Sequence, residues 1–262
     1  MSSGKWDDLA VRLSVGIILA IVGIWAIWMG GLWLHIVLVA AAGAMTWELA
    51  RMLSPTEPQL ALQLGALAGG VLFLSLYFPP YIAVALLLAT PVVGLNWMST
   101  HRVAYAGFAA AILIAAYGLA QLRDTFGLIW MLWLTLIVIS TDVLGYFAGR
   151  YIGGPKFWPR ISPKKTWSGT AAGWAGAAVL GVIFMVITGA GAAIILISVA
   201  MALASQLGDI AESALKRWRG VKDSSGLLPG HGGVLDRFDG ILGASLFLIV
   251  VRGLWGFPPL PL

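Results

Sequence analysis

The sequence predicts an all-α polytopic integral membrane protein with about nine transmembrane helices. Three observations predict it. Of the 262 residues, 60% are hydrophobic and only 10% are charged, whereas a soluble domain carries roughly 25% charged residues. So few charges cannot cover the water-facing surface of a globular enzyme of this length, and disordered chains are poor in apolar residues. The apolar residues also gather in runs of about 20, the length a helix needs to cross a hydrocarbon core. Finally, the breaks between runs carry turn chemistry, as at Gly30-Gly31, Ser54-Pro55, Pro79-Pro80 and Gly189-Ala190-Gly191. With no cysteine present, disulfides, thiolate metal sites and cysteine nucleophiles drop out.

In order, the expected spans are 11–29, 31–50, 61–78, 80–97, 103–121, 127–150, 169–189, 191–215 and 239–257. The first reads as a span rather than a cleaved leader, because Trp28-Met29-Gly30 and a second apolar run follow it. A cytoplasmic N-terminus puts all of the 16 Lys and Arg inside except Arg123 and Arg252, which the positive-inside rule favours. Five spans fill 1–126. The remainder, 127–262, is the expected catalytic region, with a polar cavity open to the cytoplasm. Within it, two segments are polar in a chain that otherwise is not: 151–168 and 216–238.

An acid inside a membrane segment is costly and by default functional. In the eighth span Ser205, Asp209, Glu212, Ser213 and Lys216 recur at intervals of three and four, so they share one helix face. That stripe lines a polar cavity or forms internal ion pairs, Glu212 with Lys216 among them. Asp142, Tyr146 and Arg150 share a face of the sixth span, beside Gly145 and Gly149. Small residues at that spacing let helices approach closely, so Asp142 faces protein, as a site residue or as the partner of Arg150. Glu48 precedes Arg51 by one turn and reads as half of an interfacial pair.

The first polar segment ends in Ser162-Pro163-Lys164-Lys165-Thr166-Trp167-Ser168. Cations and hydroxyls before a helix start suit a phosphate, and equally suit anionic headgroups at the inner boundary. The second holds Lys216, Arg217, Lys222, Asp223, His231 within a glycine cluster, Asp236, Arg237 and Asp239. Acids interleaved with cations suit Mg²⁺ with a polyphosphate, the carboxylates holding the metal and the cations meeting phosphate oxygens.

The stretch from Ser213 to Asp239 resembles the signature of the phosphatidate cytidylyltransferases: S-x-L-K-R, four residues, K-D, then P-x-H-G-G and D-R-x-D. The segment 162–167 and Asp142 in TDVLGYFAGR are similar to further blocks of that family. One position departs: Ser168 stands where the family commonly has Glu. The resemblance implies condensation of CTP with phosphatidate to CDP-diacylglycerol and pyrophosphate, with Mg²⁺ and a possible second cation, monovalent or divalent. It implies Asp209, Asp236, Lys222 and Arg237 as catalytic residues, with Asp209, Asp236, Asp239 and Asp223 on metal. Lys164, Lys165, Ser213, Lys216, Arg217, His231 and Asp142 would contact substrate. His231 equally suits a structural bond in its turn. The expected partners are the two substrates and membrane lipids, not nucleic acid, at a bacterial inner membrane with the site facing the cytoplasm. A homodimer through Gly65-x-x-x-Gly69 or Gly169-x-x-x-Gly173 is an open alternative to internal packing. A CTP-dependent polyprenol or lipid kinase would release CDP instead, and a lipid transporter would move substrate without turnover. A CDP-alcohol phosphotransferase would need a longer run of spaced acids.

Overall fold

A computed structural model describes residues 3–259, with side chains from Val11 onward; Lys5, counted in the charge asymmetry, and 260–262 lie outside the described side chains. The helices are α1 (Ser3–Met29), α2 (Gly31–Leu53), α3 (Pro58–Ser75), α4 (Pro80–Leu87), α5 (Ala89–Trp97), α6 (Arg102–Phe126), α7 (Leu128–Tyr151), α8 (Trp167–Thr188), α9 (Ala193–Trp218) and α10 (Leu235–Trp255). Among the described residues nine stretches are long and apolar enough to span a membrane, one for each expected run. The fourth is broken at Leu88 into α4 and α5. Pro91, in the first turn of α5, has no N–H to offer the carbonyl of Leu87.

Several ends differ from expectation, and at α8 a side-chain cap sets the start. Inside 151–168 lies an antiparallel hairpin of β1 (Lys156–Trp158) and β2 (Ser162–Thr166), with Lys156 opposite Thr166. Its second strand runs into α8, whose first turn Thr166 caps by accepting from the Gly169 N–H at 3.2 Å. Ser168 donates to the Gly153 carbonyl and closes the hairpin base. Helix α9 continues to Trp218 and α10 already begins at Leu235, so the second polar loop is 219–234 rather than 216–238.

By packing, the chain forms two compact units. The first comprises Met1–Asp124 and Arg219–Phe238, the second Thr125–Trp218 and Asp239–Leu262. The loop 219–234 falls in the first unit together with the N-terminal helices. In the first unit α2 and α3 touch backbone to backbone, since a Cβ on Gly65 would sit 2.8 Å from the Gly43 carbonyl oxygen. Arg123 donates to the carbonyls of Ile27 and Trp28 at the end of α1, satisfying orphan acceptors there. In the second unit α7 and α8 cross at Gly145 and Gly169, where a Cβ on Gly169 would lie 2.5 Å from the Gly145 oxygen. The glycines at 65, 69, 169 and 173 therefore serve packing within a unit.

Candidate active site

In the second unit, a cavity of about 310 Å³ opens between α7, α8, α9 and the hairpin. The face expected on α7 lines it: Asp142, Tyr146 and Arg150, with Gly145 and Gly149. Arg150 donates to the Tyr146 hydroxyl at 2.7 Å. Strand β2 contributes Lys164 and Lys165, and Thr166, Thr170 and Gln206 complete the polar wall. Pleating sends Lys164 and Lys165 to opposite sides of the strand. Lys164 is exposed, whereas Lys165 is partly covered and reaches α9.

On α9 the polar stripe is real and tightly used. Asp209 Oδ2 meets Lys165 Nζ at 2.5 Å, and its Oδ1 accepts from the Ser213 hydroxyl at 3.1 Å. One turn on, Glu212 pairs with Lys216 at 2.5 Å, both largely buried; the internal-pair reading of that acid holds. Lys216 and Ser213 thus organise acids on their own helix, as i, i+4 partners do. Asp239 accepts from the Gly240 N–H. Asp209, Asp142 and Lys216 all lie within its electrostatic range. Gly208 faces the Asp239 backbone oxygen and Gly243, so the absence of a side chain there is what lets α9 and α10 approach.

In the first unit the signature loop gathers the other expected residues. Lys222, Asp223 and Arg237 are exposed, and Arg217 is exposed on α9 in the second unit. Asp236 Oδ2 accepts from Ser224 N at 2.9 Å, Ser224 Oγ at 3.0 Å and Gly233 N at 2.7 Å. His231 closes a turn through its backbone, donating to the Leu228 carbonyl, while its own carbonyl accepts from Arg237. Its ring lies against α1, 3.2 Å from where a Cβ on Gly16 would stand.

Glu48 departs from expectation. It is fully buried, and its carboxylate accepts from Ser224, Ser225, Val234 and Leu235 instead of pairing with Arg51. Arg51 lies over the Trp47 ring. The signal was present, an acid in an apolar span, but its partners are remote in sequence.

Among the described residues no three His, Cys, Asp or Glu side chains converge as a closed metal cage. Mg²⁺ asks for less: one or two carboxylates, with waters and substrate phosphates completing the shell. Asp209 with Asp239 in the second unit, and Asp236 with Asp223 in the first, fit that oxygen-only requirement.

The cytidylyltransferase family model matches residues 10–255. The chain is 34% identical over 268 residues to the phosphatidate cytidylyltransferase of Brucella suis biovar 1, covering 97% of each chain. It is 33% identical over 273 residues to that of Bacillus subtilis, covering 95% of this chain and 99% of the relative. A stretch of 132 residues is 43% identical to the phosphatidate cytidylyltransferase of Haemophilus influenzae, covering 46% and 44% respectively.

Proposed function

The chain belongs to the cytidylyltransferase family, and from that premise we propose that it transfers the cytidylyl group of CTP to phosphatidate, giving CDP-diacylglycerol and pyrophosphate. A phosphate oxygen of phosphatidate attacks the α-phosphorus of CTP. The bond to the bridging oxygen breaks, and its electron pair leaves with pyrophosphate. The nucleophile is already anionic at neutral pH, so no strong general base is required. The obstacle is repulsion between two multiply charged phosphates, which positioning and charge neutralisation overcome.

The observation that carries this reading is the cavity wall in the second unit, where Arg150, Lys164 and Lys165 stand around Asp142 and beside Asp209. Lys164 and Arg150 hold phosphate oxygens, and Lys165 orients Asp209. Ser213 holds the other oxygen of that carboxylate. Lys222, Arg217 and Arg237 offer exposed cations to phosphate, and His231 shapes its turn. Asp209 with Asp239, and Asp236 with Asp223, would hold Mg²⁺, which supplies charge neutralisation on the triphosphate when bound. Acyl chains enter sideways from the bilayer and CTP arrives from the cytoplasm. The distribution of Lys and Arg and the bacterial relatives support an inner-membrane location with that orientation.

Proteoliposomes of the purified chain with CTP and phosphatidate test the proposal. Release of pyrophosphate together with CDP-diacylglycerol is expected. Release of CDP would indicate a lipid kinase, and lipid flux without nucleotide turnover would indicate a transporter; either result refutes the reading.

A further inference from the structure

Helix α10 begins without a cap of its own. The residue before it is Val234, whose side chain accepts no hydrogen bond, although the first N–H groups of any helix need acceptors. Glu48, near the C-terminal end of α2, supplies them. Its Oε1 accepts from Val234 N and its Oε2 from Leu235 N, both at 2.8 Å. The same two oxygens reach back to the start of the loop. Ser225 Oγ donates to Oε1 at 2.6 Å, and Ser224 Oγ lies 3.2 Å from Oε2. Each of these bonds to Glu48 comes from a hydroxyl or a backbone N–H, and none comes from a lysine or arginine. A fully buried carboxylate is costly unless paired or well bonded, and here a helix N-terminus and two hydroxyls meet that need.

The consequence is geometric. Glu48 grips the loop at 224–225 and again at 234–235, so everything between is closed into a tied segment. Inside lie His231 and the glycine cluster; immediately outside lie Asp223 and Asp236. Ser224 is the bridge, its single hydroxyl lying 3.2 Å from Glu48 and 3.0 Å from Asp236. Gly233 leaves the room required, since a Cβ there would come 2.5 Å from Glu48 Oε1. We infer that Glu48 is a positioning residue for cytidylyl transfer: an N-terminal membrane helix reaches out to set the orientation of Asp236 and hold the signature loop in its working shape. This inference rests on the proposed cytidylyl transfer and adds to it a role for α2.

The test uses the full-length protein in nanodiscs and three variants, Glu48→Gln, Glu48→Asp and Ser224→Ala. Gln places an NH₂ group against donors and removes the charge, whereas Asp keeps the charge on a shorter stem. Losing a partner that orients a metal-binding carboxylate typically costs about 10- to 100-fold in metal affinity or activity. For Glu48→Gln we therefore expect kcat to fall by about that factor with KM for phosphatidate unchanged, and the Mg²⁺ concentration giving half-maximal rate to rise. Glu48→Asp is expected between Gln and wild type. Hydrogen exchange, measured without substrate, is expected to show faster exchange at the amides of Val234 and Leu235. Wild-type kcat and Mg²⁺ response in folded Glu48→Gln overturn the inference, as does a lowered Tm with unchanged rate per folded molecule. If Glu48→Gln does not fold, Ser224→Ala decides: a raised Mg²⁺ midpoint supports the bridge and an unchanged one refutes it. The exchange arm also separates the two ideas. Lost protection in the variant, with no CDP-diacylglycerol from wild type, leaves the loop tie standing and removes the proposed reaction.

Discussion

Asp209→Asn separates a structural from a chemical role for the acid at the centre of the second unit. The substitution keeps the shape of the side chain and removes its charge. What the fold loses is the Lys165 contact at 2.5 Å; the 3.1 Å bond from Ser213 can persist to the amide oxygen. The side chains of Lys165 and Asp209 are 24% and 30% exposed, so water screens the pair and its loss costs about 1 kcal/mol or less. If Asp209 holds a divalent ion, the chemical step loses on the order of a hundredfold, about 2.7 kcal/mol of barrier. The two numbers are far enough apart to decide. Initial rates of pyrophosphate release at saturating CTP, per monodisperse molecule, give the second, and the melting temperature gives the first. Lys165→Met and the double variant complete a cycle. If the acid served only its lysine, the double variant would recover the loss of the singles. A folded Asp209→Asn enzyme turning over near the wild-type rate would remove this carboxylate from the chemistry.

Further expectations follow from single contacts. Lys164→Ala removes an exposed cation of the cavity wall and should raise KM while leaving kcat near wild type, since it binds substrate and transition state alike; a large loss of kcat at constant KM would contradict that. Asp236→Asn retains an acceptor for Ser224 and Gly233, so it should fold, and its kcat should drop by on the order of a hundredfold, read as pyrophosphate release. Gly169→Ala pushes a methyl to 2.5 Å from the Gly145 carbonyl oxygen, and forcing α7 and α8 apart should cost about 1–3 kcal/mol, read as a lowered Tm in detergent.

The spans are legible because each is an apolar run whose length the bilayer dictates, and all nine runs find their helix. Their ends are less so, because capping is a contact between particular atoms. Thr166 starts α8 and Glu48 starts α10, the first a local signal and the second a partner nearly two hundred residues away. The hairpin escapes a reading by periodicity. Its first strand has three residues, and its second, Ser162–Thr166, carries Pro and two Lys where alternation would be sought. The α9 stripe is legible as one helix face, yet the pairing within it, Ser213 with Asp209 and Lys216 with Glu212, is fixed by side-chain geometry that spacing alone leaves open. Glu48 and Arg51 are neighbours in sequence with opposite charge, and proximity along the helix suggests a pair. Burial decides otherwise, because four backbone and hydroxyl donors, from Ser224, Ser225, Val234 and Leu235, meet the carboxylate where a screened guanidinium would gain little.

Charge balance in the second unit argues for how substrate is received. The connected group holds four acids, Asp142, Asp209, Glu212 and Asp239, and four cations, Arg150, Lys164, Lys165 and Lys216. Two of those cations are already committed to acids, Lys165 to Asp209 and Lys216 to Glu212. The group is formally neutral, so it has no surplus positive charge with which to neutralise a triphosphate facing a phosphate monoester. On the proposed reaction these side chains alone would leave much of the repulsion in place, and divalent ions arriving with the nucleotide would supply the missing neutralisation. Stripping divalent ions with EDTA should abolish pyrophosphate release from proteoliposomes, and added Mg²⁺ should restore it. Turnover that persists in excess EDTA would mean that the exposed Arg217, Lys222 and Arg237 carry the neutralisation instead, and the roles given to the carboxylates would be wrong.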